Sequence, residues 1–301
     1  MNWTVYWFMF PACIVISSIA MLSGISGAAM LSPTIILVFP LVGVPSLAPA
    51  AAIGMSLFTE FFGFSSGVAG YARRCLIDYD VARQMIYAAV PFAAAGALAS
   101  AYIDPALLKT IYAGLMLGLA VVLVRQSFAH PTSYPAALET SPVTGKREFH
   151  VEGDMHVCAA GSKEYRYTPK GLGVSHALTA IGGTLSGMLS TGLGEIELPQ
   201  LIGISRLPLP VAAGTSILIV TVAVAAGSVT HVTRLLSEGG LSAVPWNLIV
   251  YTVPGALIGG QIGAKLQGTV REATMERFMA GLFVVIGAAF LASVWLRGGL
   301  R

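Results

Sequence analysis

The first 72 residues contain no Lys or Arg and a single acid, Glu60. A soluble domain carries roughly 25% charged residues, so a stretch this long with one charge cannot present an exterior to water. The rest of the chain agrees, with 55% hydrophobic and 10% charged residues overall. The lipid bilayer is therefore the expected solvent, and the expected fold class is all-α, a polytopic transmembrane helix bundle.

A crossing needs about 20 mostly apolar residues. On that ruler, spans are expected near 5–25, 47–70, 82–103, 106–126, 172–190, 210–231, 244–265 and 275–296. No basic flank of the signal-peptide kind precedes Trp3 to Leu22, so that segment is read as a retained span. The apolar stretches 5–41 and 171–204 are too long for one straight crossing at about 1.5 Å per residue. Each holds a Gly-rich break followed by proline: Ser23-Gly-Ile-Ser-Gly-Ala-Ala-Met-Leu-Ser-Pro33 and Ser186-Gly-Met-Leu-Ser-Thr-Gly-Leu-Gly-Glu-Ile-Glu-Leu-Pro199. Proline is favoured at the first helical position, so each stretch is expected to contain a span, a break, and a short half-helix that starts near Pro33 or Pro199. Paired interruptions in two halves of a membrane chain point to a transport site.

The halves correspond beyond the breaks. Gly54-Met-Ser56 answers Gly214-Thr-Ser216, and Gly67 answers Gly227 at the same separation. Pro91 and Gly96 answer Pro254 and Gly259, and Ala113-Gly-Leu115 answers Ala280-Gly-Leu282. This predicts two homologous repeats of a broken or re-entrant helix and its spans, 1–126 and 171–301, joined by a polar linker over 127–170. Gly255, Gly259 and Gly263 fall on one helix face, where they let another backbone approach.

In the linker, residues 148–157 alternate apolar and polar types around Gly153-Asp154, the pattern of a small β-hairpin covering one membrane face. His150, His156 and Cys158 have no closing ligand pair, so an exposed loop is expected there and no metal. Cys13, Cys75 and Cys158 have no metal or redox spacing. No cofactor is implied. The formal charge of +3 is small and spread over loops, which speaks for membrane topology and against nucleic acid.

Eight crossings with the N-terminus inside collect Arg73, Arg74, Arg83, Arg125, the linker bases Lys146, Arg147, Lys163, Arg166 and Lys170, and Arg234, Arg297 and Arg301 on one face. Lys109, Arg206, Lys265, Arg271 and Arg277 fall opposite. The positive-inside rule makes the richer face cytoplasmic, placing the N-terminus and the linker there, in a cell inner membrane. If the breaks re-enter, the parity changes and the repeats become inverted, so both topologies stand at this point.

Two half-helix starts near the midplane offer unpaired amides and positive dipole ends to an anion. The expected substrate-binding groups are the amides of Gly27, Gly192 and Gly194 and the hydroxyls of Ser23, Ser26, Ser190 and Thr191. Ser56 on one second span and Thr215 and Ser216 on the other complete the set. Any one of these hydroxyls has an alternative role in bonding the preceding turn's carbonyl. Intramembrane carboxylates are functional candidates, which singles out Glu60, Glu195 and Glu197. They have no acid at the matching position of the other half, so an asymmetric site is expected. Their two readings are proton exchange coupled to substrate movement, and bonding to backbone groups that the breaks set free. His176 and His231, near span ends, are read as interfacial.

The Gly-rich segment ending in Pro199, then Ala-Gly-Thr-Ser216, Gly-Ser-Val-Thr-His231 and Pro254-Gly-Ala-Leu-Ile-Gly-Gly260, resembles the TauE/SafE sulfite and sulfonate exporter family. Ala-Ile-Gly-Met-Ser56 and Gly67 look like the same pattern in the first half. The resemblance spans nearly all the chain except 127–170. It implies a secondary transporter of small sulfur-containing anions such as sulfite, sulfoacetate or related sulfonates. Glu195 and Glu197 depart from the family's small-residue tract.

The expected partners are thus a small anionic substrate, the lipid bilayer and protons, with a homo-oligomer left open. The leading reading is a carrier working by alternating access, with another small anion or an organic acid as the alternative substrate. A membrane scaffold acting through the linker and an intramembrane enzyme are the other classes. For the enzyme, neither a Gly-x-Ser-x-Gly elbow nor His-Glu-x-x-His is expected.

Overall fold

The computed structural model describes residues 3–23, 25–129, 138–140, 147–160, 163–266 and 272–298. His130, Tyr134, Ser141 and Lys146 of the linker, and Gly24, Arg271 and Arg301, lie outside the described residues.

In the first half, a 3-10 turn leads into α1 (Met9–Ser23), followed by α2 (Ala28–Pro33), a π turn (Thr34–Val38) and α3 (Phe39–Leu41). Then come α4 (Pro49–Arg73), α5 (Tyr79–Ala99) and α6 (Pro105–Ala129). The second half repeats the order with α7 (Leu172–Leu189), α8 (Leu193–Gly203), α9 (Leu209–Gly239), α10 (Trp246–Leu266) and α11 (Glu272–Gly298). A helix lies at each expected span. By length and composition, 5 described helices are apolar enough to cross a membrane. The protein is an all-α polytopic bundle with, among the described residues, one small sheet between its halves.

The prolines do not start the half-helices. Gly27 and Gly192 are the N-caps, so Pro33 and Pro199 lie inside α2 and α8. A proline within a helix deprives the carbonyl four residues earlier of its N–H partner. For Pro33 that carbonyl belongs to Ala29, and Tyr112 Oη donates to it at 3.0 Å. Just beyond Pro33 the helix widens into the π turn.

Both interrupted segments are hairpins that enter and leave by the same end of the bundle. The Tyr6 ring stacks on Phe39 with centroids 5.4 Å apart, and Tyr6 Oη donates to Pro45 O at 3.1 Å. In the second half, Ser175 Oγ and Ser205 Oγ are 2.9 Å apart, and Lys170 N donates to Ser205 O at 3.2 Å. Each half is a hairpin plus three long helices. Three crossings after a hairpin deliver the chain to the opposite end, so the second half is inverted. α4 and α9 accordingly run antiparallel: Gly54, early in α4, faces His231, late in α9, and Gly214, early in α9, faces Leu76 beyond the end of α4.

The described segment from Trp3 and the linker sheet thus lie at opposite ends of the bundle and not on one face, because hydropathy counts apolar segments without distinguishing a hairpin from a crossing. The linker end gathers Arg73, Arg74, Arg125, Arg166, Lys170, Arg206, Lys265 and Arg277, while Lys109 and Arg234 lie towards the other.

Helices of one half pack chiefly on the other. α1 packs on α10 as α7 does on α5, α4 on α10 as α9 does on α5, and α4 pairs with α9 and α6 with α11. Small residues make the first of these possible. A Cβ at Gly255 or Gly263 would lie 2.5 Å from Phe10 O or Ser18 O, and Gly259 is as tightly placed against Ile14 O. Gly255→Leu is therefore expected to destabilise the bundle by about 1–3 kcal/mol through overpacking against backbone that cannot yield. A lowered thermal midpoint and a smaller monodisperse fraction in detergent would register it.

The linker holds more than the expected hairpin. β1 (Leu138–Thr140), β2 (Arg147–Glu152), β3 (Met155–Ala160) and β4 (Lys163–Tyr167) form an antiparallel sheet in the order β1-β4-β3-β2. Gly153, at φ 62°, turns β2 into β3 where the alternation centred. The exposed-loop reading is corrected as well: the sheet is docked. Asp78, wholly buried before α5, has its Oδ2 2.6 Å from His156 Nδ1 and accepts from Tyr167 Oη at 2.9 Å.

Candidate functional site

Glu60 lies midway along α4 and is 5% exposed. Its Oε1 accepts from Ala28 N at 3.3 Å and from Ser26 Oγ at 2.7 Å, so it covers the start of α2. Glu195, in the first turn of α8, folds back over its own helix start. Its Oε2 accepts from Gly192 N at 2.8 Å, and its Oε1 accepts from Thr191 Oγ1 at 3.0 Å and Ser26 N at 3.4 Å. Amides at a helix start lack partners and carry the positive end of the backbone dipole, which is what a carboxylate satisfies.

The two breaks meet directly. Ser26 Oγ faces Ser190 O at 3.0 Å as well as Glu60, Ser190 Oγ lies 2.7 Å from Ser32 Oγ, and Ser190 Oγ donates to Ala28 O at 3.4 Å. Ser26, Glu60, Ser190, Thr191 and Glu195 are thus joined in one buried network between the hairpins. Among the described residues, Glu60 Oε2 is buried with no hydrogen-bond partner. Beside it is a cavity of about 10 Å³, lined by Gly27, Ser56, Thr59 and Glu60 among others. That is room for about one water.

The sequence-derived candidates divide into those in this network and those elsewhere. Gly27 and Gly192 cap the half-helices, and Gly194 is buried in the first turn of α8. Ser23 Oγ accepts from Ile25 N at 3.3 Å and shapes the first break. Ser56 lines the cavity, but its hydroxyl donates to Ala52 O at 2.8 Å, one turn back. Thr215 lies away from the centre, accepting from Asp78 N at 2.9 Å near the linker end. Ser216 is buried in α9. Glu197 belongs to a separate cluster: its Oε2 accepts from Thr179 Oγ1 at 2.8 Å and Gln200 Nε2 at 2.6 Å.

His231 is not interfacial. It is 4% exposed, with Nε2 3.0 Å from Gly187 O, in the last turn before the second break. Helix α7 ends at Leu189, so Gly187 O has no following turn to serve it, and the imidazole takes that place. Tyr112 does the same for Ala29 in the first half. Neither was legible in the chain, since the motif that needs the partner lies far from it. Tyr112→Phe is expected to cost about 1–3 kcal/mol by leaving a buried carbonyl unpaired. A thermal melt in detergent, compared with Tyr102→Phe at an exposed position, would measure it.

The letters Gly63-Phe-Ser65-Ser-Gly67 do fit Gly-x-Ser-x-Gly, contrary to expectation. They lie inside α4, where Ser66 Oγ donates to Gly63 O at 2.8 Å. An elbow needs a strand-to-helix turn, so this tract is not one.

Comparison with known proteins agrees with the architecture. The chain is 21% identical over 279 residues to "Probable membrane transporter protein YunE" of Bacillus subtilis (strain 168), covering 92% of this chain and 94% of that one. It is 27% identical over 226 residues to "Probable membrane transporter protein MamO" of Paramagnetospirillum magneticum (strain ATCC 700264 / AMB-1), covering 73% of this chain and 35% of that longer protein. No solved structure matches. The model of the family described as "Sulfite exporter TauE/SafE" matches residues 9–290. This two-hairpin membrane protein therefore belongs to the TauE/SafE family and is a membrane transporter.

Proposed function

We propose that the two hairpins frame a central site for a small sulfur-containing anion (sulfite, sulfoacetate or a related sulfonate), which the protein exports by alternating access with proton exchange at Glu60 and Glu195. The observation that carries this reading is that each half-helix start is covered by one of the protein's own carboxylates, Glu60 on α2 and Glu195 on α8, with Ser26 bonded to both. A carboxylate there takes the place that an incoming anion would seek. Protonation removes its charge and releases the amides, so anion entry and proton uptake draw on the same groups.

The cavity of about 10 Å³ beside Glu60 is too small for such an anion, so on this reading passage requires the hairpins to part. Inverted repeats support that motion, because exchanging the conformations of the two halves turns an opening at one end into an opening at the other. The bases collected at the linker end support a cytoplasmic linker in the cell inner membrane, with the N-terminal segment opposite.

Radiolabelled sulfite and sulfoacetate flux into proteoliposomes, with and without an imposed pH gradient, tests this. Saturable flux that follows the gradient is expected. Flux of a small carboxylate with none of either sulfur anion would replace the proposed substrate with an organic acid.

A further inference from the structure

Two cysteines that are 83 residues apart in the chain meet where the sheet docks on the bundle. The Cys158 thiol, on β3, donates to the backbone carbonyl of Cys75 in the turn between α4 and α5. Cys158 is wholly buried and Cys75 is half-buried. Three residues further on, Asp78 holds the same sheet through His156 and Tyr167, so the two strands of contact close on one turn. Asp78 N also donates to Thr215 at the start of α9, which links this turn to the second half of the bundle.

We propose that Cys75 and Cys158 form a reversible disulfide that fastens the inter-repeat sheet to the α4–α5 turn. The thiol bonded to Cys75 O sits against the Cys75 backbone, so the two cysteines are neighbours in space, where a disulfide would need about 2 Å between sulfurs. Neither sulfur is required by the transport reading.

The oxidant is a small-molecule disulfide. Cys75 is the more accessible thiol, and its thiolate attacks one sulfur of the oxidant, releasing a first small thiolate and leaving a mixed disulfide. Burial pushes the Cys158 thiol up to about 12, so Cys158 does not attack first. Once the mixed disulfide is beside it, Cys158 attacks Cys75 Sγ and expels the second small thiolate, which takes up the proton that Cys158 loses. The two protein thiols are oxidised by two electrons and the small disulfide is reduced to two thiols. A dithiol reductant reverses both steps.

The test uses the purified full-length protein in detergent, treated with oxidised glutathione, quenched with an alkylating agent and mapped by non-reducing mass spectrometry. Most molecules are expected to carry a Cys75–Cys158 cross-link that disappears on addition of dithiothreitol. Cys13→Ser, which removes a cysteine buried in α1, should leave the cross-link intact, and Cys75→Ser should remove it. If the parent protein, after treatment with oxidised glutathione and unfolding in the alkylating quench, still has both cysteines alkylated, or stops at glutathionylated Cys75 with Cys158 free, the proposal is overturned. That result is independent of transport, so a failure here leaves the substrate reading untouched.

Discussion

Gly192→Leu should reduce substrate flux by about 100-fold or more while the protein still inserts in the membrane. Gly192 caps α8 at φ 114°, a region that L side chains rarely adopt. A Cβ there would also lie 2.9 Å from Leu185 Cβ. Left-handed backbone costs a non-glycine residue roughly 1–2 kcal/mol and overpacking another 1–3 kcal/mol. A loss of about 3 kcal/mol is already more than a hundredfold in an equilibrium.

The strain falls where it matters most, since Gly192 N is the amide that holds Glu195 Oε2 at 2.8 Å. Relieving it requires the break to move, and Ser190 and Ser26 move with it. Insertion depends on the apolar spans, which a leucine leaves alone. The measurement is proteoliposome flux normalised to inserted protein, with Gly192→Ala as the variant that adds strain but little volume. Parent-like flux in the leucine variant would remove the breaks from the transport site.

Glu60→Gln should uncouple flux from the pH gradient and lower it about tenfold or more, with the fold retained. The glutamine carbonyl can still accept from Ser26 Oγ and Ala28 N, as Glu60 Oε1 does. Its amide nitrogen falls where Glu60 Oε2 has no partner, so no existing hydrogen bond is broken. What is lost is a group able to gain and release a proton. Glu195→Gln differs, because both oxygens of Glu195 accept hydrogen bonds. An amide nitrogen in place of either one faces a donor, which costs about 1–3 kcal/mol. Loss of gradient dependence with an unchanged thermal midpoint is therefore the signature of Glu60, and loss with a lowered midpoint that of Glu195. If Glu60→Gln flux keeps the parent's response to the gradient, Glu60 is not the proton carrier.

Glu60 and Glu195 also show how far the chain could be read. Each is conspicuous as an acid in an apolar run, and each has no counterpart at the matching position of the other half. That suggested an asymmetric site. In space the two acids do parallel work, one reaching a half-helix start from a neighbouring helix and the other from within its own first turn. Alignment by residue position cannot register an equivalence of that kind. The same limit explains Tyr112 and His231, whose partners are carbonyls freed by breaks on other helices.

Apolar segments of bilayer length, glycines on one helix face and alternation around Gly153 are local properties, and they determined the helices, their close packing and the hairpin turn of the linker. The prolines were legible as break markers, yet the half-helices begin at the glycines before them, because an N-cap depends on which groups lie beyond the helix start. Inversion of the halves, docking of the sheet on Asp78 and the meeting of Ser26 with Ser190 came from the packing of distant segments. A composition pattern states how apolar a segment is and how long; whether it crosses or turns back depends on what its far end touches, as Tyr6 on Phe39 and Ser175 on Ser205 do here.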